Sequence, residues 1–137
     1  MKLKHLVATI FILCFAASAG AQTQYLTTEN FLKKVADYKA NPTTWNYLGD
    51  KPCIIDFYTT WCGPCKTMHP VLEQLKKELG DSIRIVKVDV DKNEAIAMQM
   101  RIQSVPTLMV FNGGEMKWRQ SGAMSANELK QVIERVK

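Results

Sequence analysis

Two cysteines separated by two residues, Cys62 and Cys65, are the side chains in this sequence best suited to chemistry. A C-x-x-C pair can bind zinc, carry a covalently attached haem, form a structural disulfide or exchange electrons. A structural zinc site needs four ligands, and beyond the first 21 residues only Cys53 and His69 could complete one. Cys53 falls in an apolar run and His69 lies one helical turn after Cys65, so the sequence argues against zinc.

The other two non-catalytic interpretations also fit poorly. Covalent haem attachment requires a histidine directly after the second cysteine, and Lys66 occupies that position. A structural disulfide between Cys62 and Cys65 would close a very small loop and restrict the unfolded chain little. Thiol–disulfide exchange is the chemistry that remains.

The elements around the pair predict how it is positioned. Residues 52–58 form an apolar run typical of a strand buried on both faces, and helical spacing of apolar residues follows from Met68 to Leu79. A C-x-x-C between a strand and a helix places Cys62 at the helix N-terminus, where free N–H groups and the dipole stabilise a thiolate. We therefore predict that Cys62 attacks and that Cys65 resolves the mixed disulfide.

The two residues between the cysteines fit this arrangement. Pro64 suits the first helical turn, where its missing N–H costs nothing, and it stiffens the pair. Gly63 leaves the approach to Cys62 open.

Two charged residues stand in otherwise apolar strand patterns. Asp56 lies among Ile54, Ile55 and Phe57, where burial should raise the pKa of its carboxyl group. Alternation in the next strand pattern, residues 83–90, places Lys87 on an apolar face. We predict a partly buried Asp56–Lys87 pair near the cysteines, in which Asp56 passes protons to and from Cys65. In the alternative interpretation Asp56 ends a strand face and Lys87 is exposed.

The remaining patterns predict the rest of the domain. A first helix begins at Thr27 or Thr28 and carries apolar residues as far as Tyr38, and Ser125 to Glu128 is a capping box for a last helix. A short helix over 93–100 and a hairpin around Asn112-Gly113-Gly114 lie between them. The order helix, strand, helix, strand, helix, hairpin, helix predicts an α/β domain with a mixed sheet and helices on both faces.

Residues 1–21 have the layout of a secretory signal peptide. Lys2 and Lys4 are followed by the apolar run 6–15 and then by small residues, with cleavage predicted after Ala21 or Ala19. A membrane anchor is the alternative, but the apolar run is shorter than the roughly 20 residues that a spanning helix needs. We expect an exported protein, periplasmic or extracellular, without stable membrane insertion after cleavage.

The charge and the cysteine content argue against two further classes of protein, nucleic-acid-binding domains and disulfide-stabilised domains. Without residues 1–21 the chain carries 16 basic and 13 acidic side chains, a net charge of +3, interspersed along residues 22–137. The sequence has no block of basic residues of the kind that would indicate nucleic-acid binding. Three cysteines are too few to form the disulfide framework of an exported domain of this length. We expect one domain over residues 22–137, acting as a monomer.

With these motifs the chain resembles the thioredoxin family over roughly residues 24–137. The resemblance rests on D-F-Y-x-x-W-C-G-P-C-K from Asp56 to Lys66, with Pro70 beyond it, on Lys87-Val88-Asp89, on Val105-Pro106-Thr107 and on F-N-G-G followed by S-G-A. The family implies a central mixed sheet of four to five strands, reduction of disulfides in protein substrates, and no cofactor.

The resemblance also implies a substrate-docking surface. In the family the Val105–Pro106 bond is cis and faces the cysteines, and the Val105 backbone pairs with the substrate chain. The residues that would line this surface are Trp61, Gly63, Pro64, Val105, Pro106 and Gly122. Asp56 and Lys87 match the family's buried acid and its lysine neighbour.

The sequence departs from the cytosolic pattern of the family in the signal peptide, in the enlarged loop 41–50 and in Tyr58, where many members carry tryptophan. We interpret His69 as a surface or packing residue and Cys53 as a small buried hydrophobe. Gly-Pro between the cysteines resembles the reducing branch of the family. Because the compartment oxidises thiols, the family resemblance implies a membrane thiol-transfer protein as electron donor.

Three alternative functions stay open at this point. The protein could be an exported disulfide oxidase or isomerase, or a dedicated reductant of apocytochrome c. It could also be a binding module in which the cysteines are incidental.

Overall fold

The computed structural model of the chain describes residues 23–41 and 46–137. The predicted signal peptide and Trp45, in the enlarged loop, lie outside these residues. Five strands and four helices follow in the order β1 (Gln24–Tyr25), α1 (Thr28–Lys34), β2 (Cys53–Tyr58), α2 (Gly63–Leu79), β3 (Arg84–Asp89), α3 (Glu94–Gln99), β4 (Thr107–Asn112), β5 (Glu115–Ser121) and α4 (Ala126–Val136).

The strands form one mixed sheet in the order β1-β3-β2-β4-β5. β2 is central, parallel to β3 and antiparallel to β4, and the hairpin β4–β5 is antiparallel, as predicted. The parallel register pairs Asp56 directly with Lys87. Neighbouring residues in such a register project to the same face of the sheet, so this pairing brings the two charged side chains together.

Two apolar clusters cover the two faces of the sheet, which explains why β2 is apolar on both sides. Phe31 of α1 and Ile96 of α3 belong to one cluster, and Met68 of α2 and Leu129 of α4 belong to the other. Each fully buried side chain of this size contributes about 1.5–3 kcal/mol to folding. The two clusters hold β2 and the start of α2 in fixed positions.

Both ends of α2 are capped. Cys62 is the N-cap residue, Pro64 lies in the first turn, and the helix runs through Pro70 to Leu79. Its C-cap is Gly80 at a φ of +54°, a backbone conformation that favours glycine. The nearly buried Lys76 donates from Nζ to the carbonyl oxygens of Gly80 and Ile83.

The first helix is shorter than predicted. Thr27 caps it, but it ends at Lys34, and Val35 and Tyr38 are buried beyond its end. The Val35 carbonyl accepts a hydrogen bond from the Leu48 N–H, and the Asp37 carboxylate accepts from the N–H groups of the next turn. Local side-chain and loop partners therefore replace the helical ones.

Strand β1 was not predicted from the sequence. It has two residues, too few to show any alternation, and it exists because it pairs with β3 at Val86 and Lys87. The other elements lie within one or two residues of their predicted bounds, and both halves of the capping box at Ser125 and Glu128 are present. Among residues 23–41 and 46–137 no helix has the length and apolarity needed to span a bilayer.

Candidate active site

Cys62 and Cys65 form a disulfide where the chain leaves β2 and enters α2, with a Cα–Cα distance of 5.3 Å. The Cys62 sulfur accepts a hydrogen bond from the Cys65 N–H at 3.2 Å, as an N-cap side chain does. No acidic residue occupies the first turn of the helix. In the reduced protein the free N–H groups of this turn therefore favour a thiolate at Cys62.

The residues predicted to dock the substrate lie together around Cys62. The Cys62 sulfur is 3.7 Å from the Val105 carbonyl oxygen, and the Val105–Pro106 bond is cis. The Gly122 N–H donates to the Pro106 carbonyl at 2.9 Å, which ties the end of β5 to this segment. Gly63 and Pro64 are exposed beside the disulfide.

Trp61 completes this surface. Its side chain is 71% exposed, and its indole N–H donates to the Asp91 carboxylate at 2.8 Å. The hydrogen bond holds a large apolar ring in contact with solvent next to Cys62. Asp91 was not singled out from the sequence, because it lies 30 residues from Trp61 and only the fold brings them together.

Asp56 and Lys87 form the predicted pair, and Lys87 lines the same pocket as Cys65. Asp56 Oδ2 lies 3.4 Å from Lys87 Nζ, and both side chains are buried. This distance exceeds the roughly 2.7–2.9 Å of a strong charge-assisted hydrogen bond. Burial raises the pKa of the Asp56 carboxyl to about 6, and the positive charges of Lys87 and His69 only partly oppose that rise.

Two tyrosine rings enclose the Lys87 ammonium group. Its nitrogen lies 4.7 Å from the ring centre of Tyr58 and 5.7 Å from that of Tyr25. The two rings meet edge to face at 6.3 Å. Cation–π contacts of this kind stabilise a buried ammonium group that has one distant carboxylate partner.

A pocket of about 210 Å³ opens beside Cys65, on the side of α2 that faces β1. Its lining residues are Tyr25, Tyr58, Thr59, Thr60, Cys65, Lys66, His69 and Lys87. His69 is exposed, as predicted, and its Nδ1 lies 3.2 Å from the Tyr25 hydroxyl. No pattern in the sequence pointed to Tyr25, since it stands in the two-residue strand β1.

Cys53 lies at the other end of β2, roughly 17 Å from the active-site end of the strand. It is free and fully buried, and burial raises the pKa of its thiol to about 12. In the part of the chain that the structure describes, no cluster of three or more His, Cys, Asp or Glu side chains could hold a metal ion. Cys53 is the small buried hydrophobe that the sequence predicted.

The sequence of the chain matches a known protein family. The family described as Thioredoxin matches residues 22–135. The chain belongs to the thioredoxin family. A thioredoxin from Borreliella burgdorferi is 49% identical over 84 residues, which make up 61% of this chain and 71% of that protein. Thioredoxin 1 from Nostoc sp. is 35% identical over 118 residues, 86% of this chain and 97% of that one.

A solved structure supports the same assignment. The crystal structure of chloroplastic thioredoxin z matches with a TM-score of 0.67 at 25% identity, covering 84% of this chain and 94% of that chain. The five-stranded mixed sheet flanked by helices is therefore the thioredoxin fold. The protein is a thioredoxin-type thiol–disulfide oxidoreductase with Cys62–Cys65 as its redox pair. It is a protein-disulfide reductase, and its substrates are disulfide-containing proteins.

Proposed function

We propose that this thioredoxin works outside the cytoplasm, where it reduces exported proteins with electrons supplied by a membrane thiol-transfer protein. The observation that carries the location is the signal-peptide pattern of residues 1–21, ahead of a complete C-G-P-C site. Periplasmic location is the first expectation and extracellular location the second. A donor is required because an oxidising compartment converts a reduced Cys62–Cys65 pair back to its disulfide.

Catalysis begins with Cys62. Its thiolate attacks one sulfur of the substrate disulfide, forms a mixed disulfide and releases the other substrate sulfur as a thiolate. Cys62 suits this step because it is the N-cap of α2 and lies at the docking surface, beside the Val105 carbonyl.

Cys65 completes the reaction. Its thiolate attacks the Cys62 sulfur, the mixed disulfide breaks and the second substrate thiol leaves. The substrate gains two electrons and two protons, and Cys62–Cys65 becomes a disulfide. Cys65 is nearly buried, 3% exposed, one turn into the helix, so its sulfur meets the mixed disulfide rather than the substrate in solution.

Asp56 and Lys87 control the proton of Cys65. We assign Asp56 as the base that accepts this proton before the second attack and returns it when the enzyme disulfide is reduced. A carboxyl with a pKa of about 6 changes protonation state readily near neutral pH, as such a role requires. Lys87, 3.4 Å away, steadies the carboxylate form.

The docking surface holds the substrate chain against Cys62. We assign its apolar contacts to Trp61, Gly63, Pro64, Pro106 and Gly122. The Val105 backbone then pairs with an extended substrate segment, in the manner of strand addition.

A trapping experiment tests both the location and the order of attack. Replacing Cys65→Ser blocks the second step, so Cys62 should hold its partners as mixed disulfides that a reductant releases. We expect the trapped proteins to be exported disulfide proteins and a membrane protein with a cysteine pair, and the tagged chain to begin at Gln22 or Gly20.

The controls separate the two claims. A Cys62→Ser, Cys65→Ser double variant should trap nothing. Cytosolic partners would contradict the proposed location, and a chain that retains Met1 would contradict cleavage of the signal peptide. Stable adducts formed by Cys62→Ser through Cys65 would contradict the order of attack.

A further inference from the structure

We propose that His69 carries protons between solvent and the buried residues Asp56 and Cys65, through the pocket beside α2. This inference rests on the proposed role of Asp56 and adds a residue to it. His69 is a positioning and relay residue, since it is proposed to act through Asp56 and not on the reacting sulfurs themselves.

The first support is that a proton held by the buried Asp56 needs a route to solvent. Asp56 is fully buried, and neither of its carboxylate oxygens has a hydrogen-bond partner among the described residues. A proton that Asp56 takes from Cys65 must still reach solvent before the next turnover. A side chain with no exposed surface cannot exchange its proton directly with bulk water.

The second support is the position of His69. It follows Cys65 by four residues in α2, and residues at this spacing lie on the same face of a helix, one turn apart. Both line the same pocket, together with Lys87, the ion-pair partner of Asp56. The pocket therefore connects the exposed imidazole with Cys65 and with Lys87, which contacts Asp56.

The third support is that His69 is held in place. Its Nδ1 is hydrogen-bonded to the Tyr25 hydroxyl at 3.2 Å, which connects α2 to β1 across the pocket. The same Tyr25 ring lies against the Lys87 ammonium at 5.7 Å, and Lys87 lies 3.4 Å from Asp56. His69 thus belongs to one continuous set of contacts that ends at the carboxylate. Its Nε2 has no hydrogen-bond partner among residues 23–41 and 46–137, so it can exchange protons with solvent.

The pocket can also hold the water that a relay needs. Its volume of about 210 Å³ is many times the roughly 10–15 Å³ that a cavity needs to hold one water. The buried hydroxyl of Thr59 lines it and has no hydrogen-bond partner among the described residues. The Thr59 hydroxyl, with the charged groups of Lys66 and Lys87, gives a water in this pocket polar partners.

The chemistry of the neighbouring groups favours His69 over them as the relay. Burial raises the pKa of both Tyr25 and Tyr58 above the ordinary tyrosine value, which removes them from exchange near neutral pH. Imidazole is the side-chain group that ordinarily changes charge between about pH 5 and 8. The positive charge of His69 also lowers the pKa of Asp56, so the two groups interact.

The charged and titratable groups around His69 come from four elements. They are Tyr25 from β1, Asp56 and Tyr58 from β2, Lys87 from β3, and Cys65, Lys66 and Glu73 from α2. In the forward direction the Cys65 thiol gives its proton to Asp56. Asp56 does not itself line the pocket, so the proton leaves at its contact with Lys87, which does, and passes through pocket water to His69, which releases it to solvent. No electron moves in these steps.

The test is the pH profile of the resolution step, measured by rapid mixing of the reduced protein with a disulfide-containing peptide. We expect His69→Gln to slow this step roughly three- to tenfold near pH 7, less than the roughly 10²–10⁴-fold worth of a direct general base, because water still enters the pocket. Lys77→Gln, an exposed change on the same helix away from the pocket, should leave the profile unchanged.

Two further variants separate a relay from a packing effect. His69→Ala should be slow, and imidazole added to the buffer should restore its rate. In an Asp56→Asn background, His69→Gln should cost nothing more, because the relay then has no proton to carry.

An unchanged profile in His69→Gln would overturn the inference, as would a loss that imidazole does not restore and that persists with Asp56→Asn. A wild-type protein that fails to reduce the peptide at all would instead contradict the proposed function.

Discussion

Asp56 is a buried carboxyl group whose ionisation costs the folded protein stability. Its carboxylate is fully buried beside an ammonium group 3.4 Å away, and burial outweighs that attraction, because the pKa rises to about 6 from an ordinary 3.8. The folded protein therefore binds the Asp56 proton more tightly than the unfolded chain does. It follows that the free energy of unfolding falls as pH rises from about 4 to 6 and levels off above that range.

We predict that Asp56→Asn stabilises the protein above pH 7. The pKa difference, about 6 in the fold against 3.8 unfolded, corresponds to roughly 3 kcal/mol once the carboxyl is ionised. The attraction to Lys87 is already included in that pKa. Urea unfolding of the oxidised protein at pH 8 should show the gain, and the two proteins should converge near pH 4.

Asp50→Asn is the matched control, because Asp50 is exposed on a loop and should change stability by less than about 0.5 kcal/mol. A less stable Asp56→Asn at pH 8, or a gain equal at both pH values, would show that burial does not dominate at Asp56.

At the scale of single elements, helices α2 and α4 have different roles, which follow from the residues at their N-termini. The N-terminus of α2 is occupied by the redox pair, and Cys62 serves as its cap. The N-terminus of α4 carries a full capping box, in which Ser125 and Glu128 each accept from the other's backbone N–H. Leu129, Val132 and Ile133 then bury one face of α4 in the cluster that supports α2.

We predict that Ser125→Ala lowers the free energy of unfolding by about 1 kcal/mol, the usual worth of an N-cap side chain. Disulfide reduction should keep its rate, because Ser125 lies outside the docking surface and the pocket. Urea unfolding and a reduction assay on the same sample measure both quantities.

Gln131→Ala, on the exposed face of α4, should be nearly neutral in stability. If Ser125→Ala also slowed the reduction reaction, α4 would have to influence the site in a way this account does not include.

At the scale of the whole molecule, the elements that could be predicted from the sequence are those specified by a local pattern of residues. The apolar spacing of α2, the glycine pair of the hairpin and the capping box each specify an element through neighbouring residues. The Asp56–Lys87 pair was also predictable, because a charged residue on an apolar strand face needs a partner.

The features that were missed depend on contacts between distant residues. Strand β1 is defined by its pairing with β3, and the Tyr25–His69 hydrogen bond joins residues 44 positions apart. The length of α1 depends on a hydrogen bond between Val35 and Leu48. None of these leaves a periodic trace in the sequence.

The central claim is that Cys62–Cys65 is a reducing pair, and its reduction potential tests this most directly. The protein is equilibrated with a graded thiol buffer, and the oxidised fraction is read by alkylation. We predict a potential toward about −270 mV, in the range of reducing thioredoxins. A potential toward about −120 mV, typical of a strong oxidant whose reduced form is stabilised, would mean that the pair donates disulfides, and it would contradict the account.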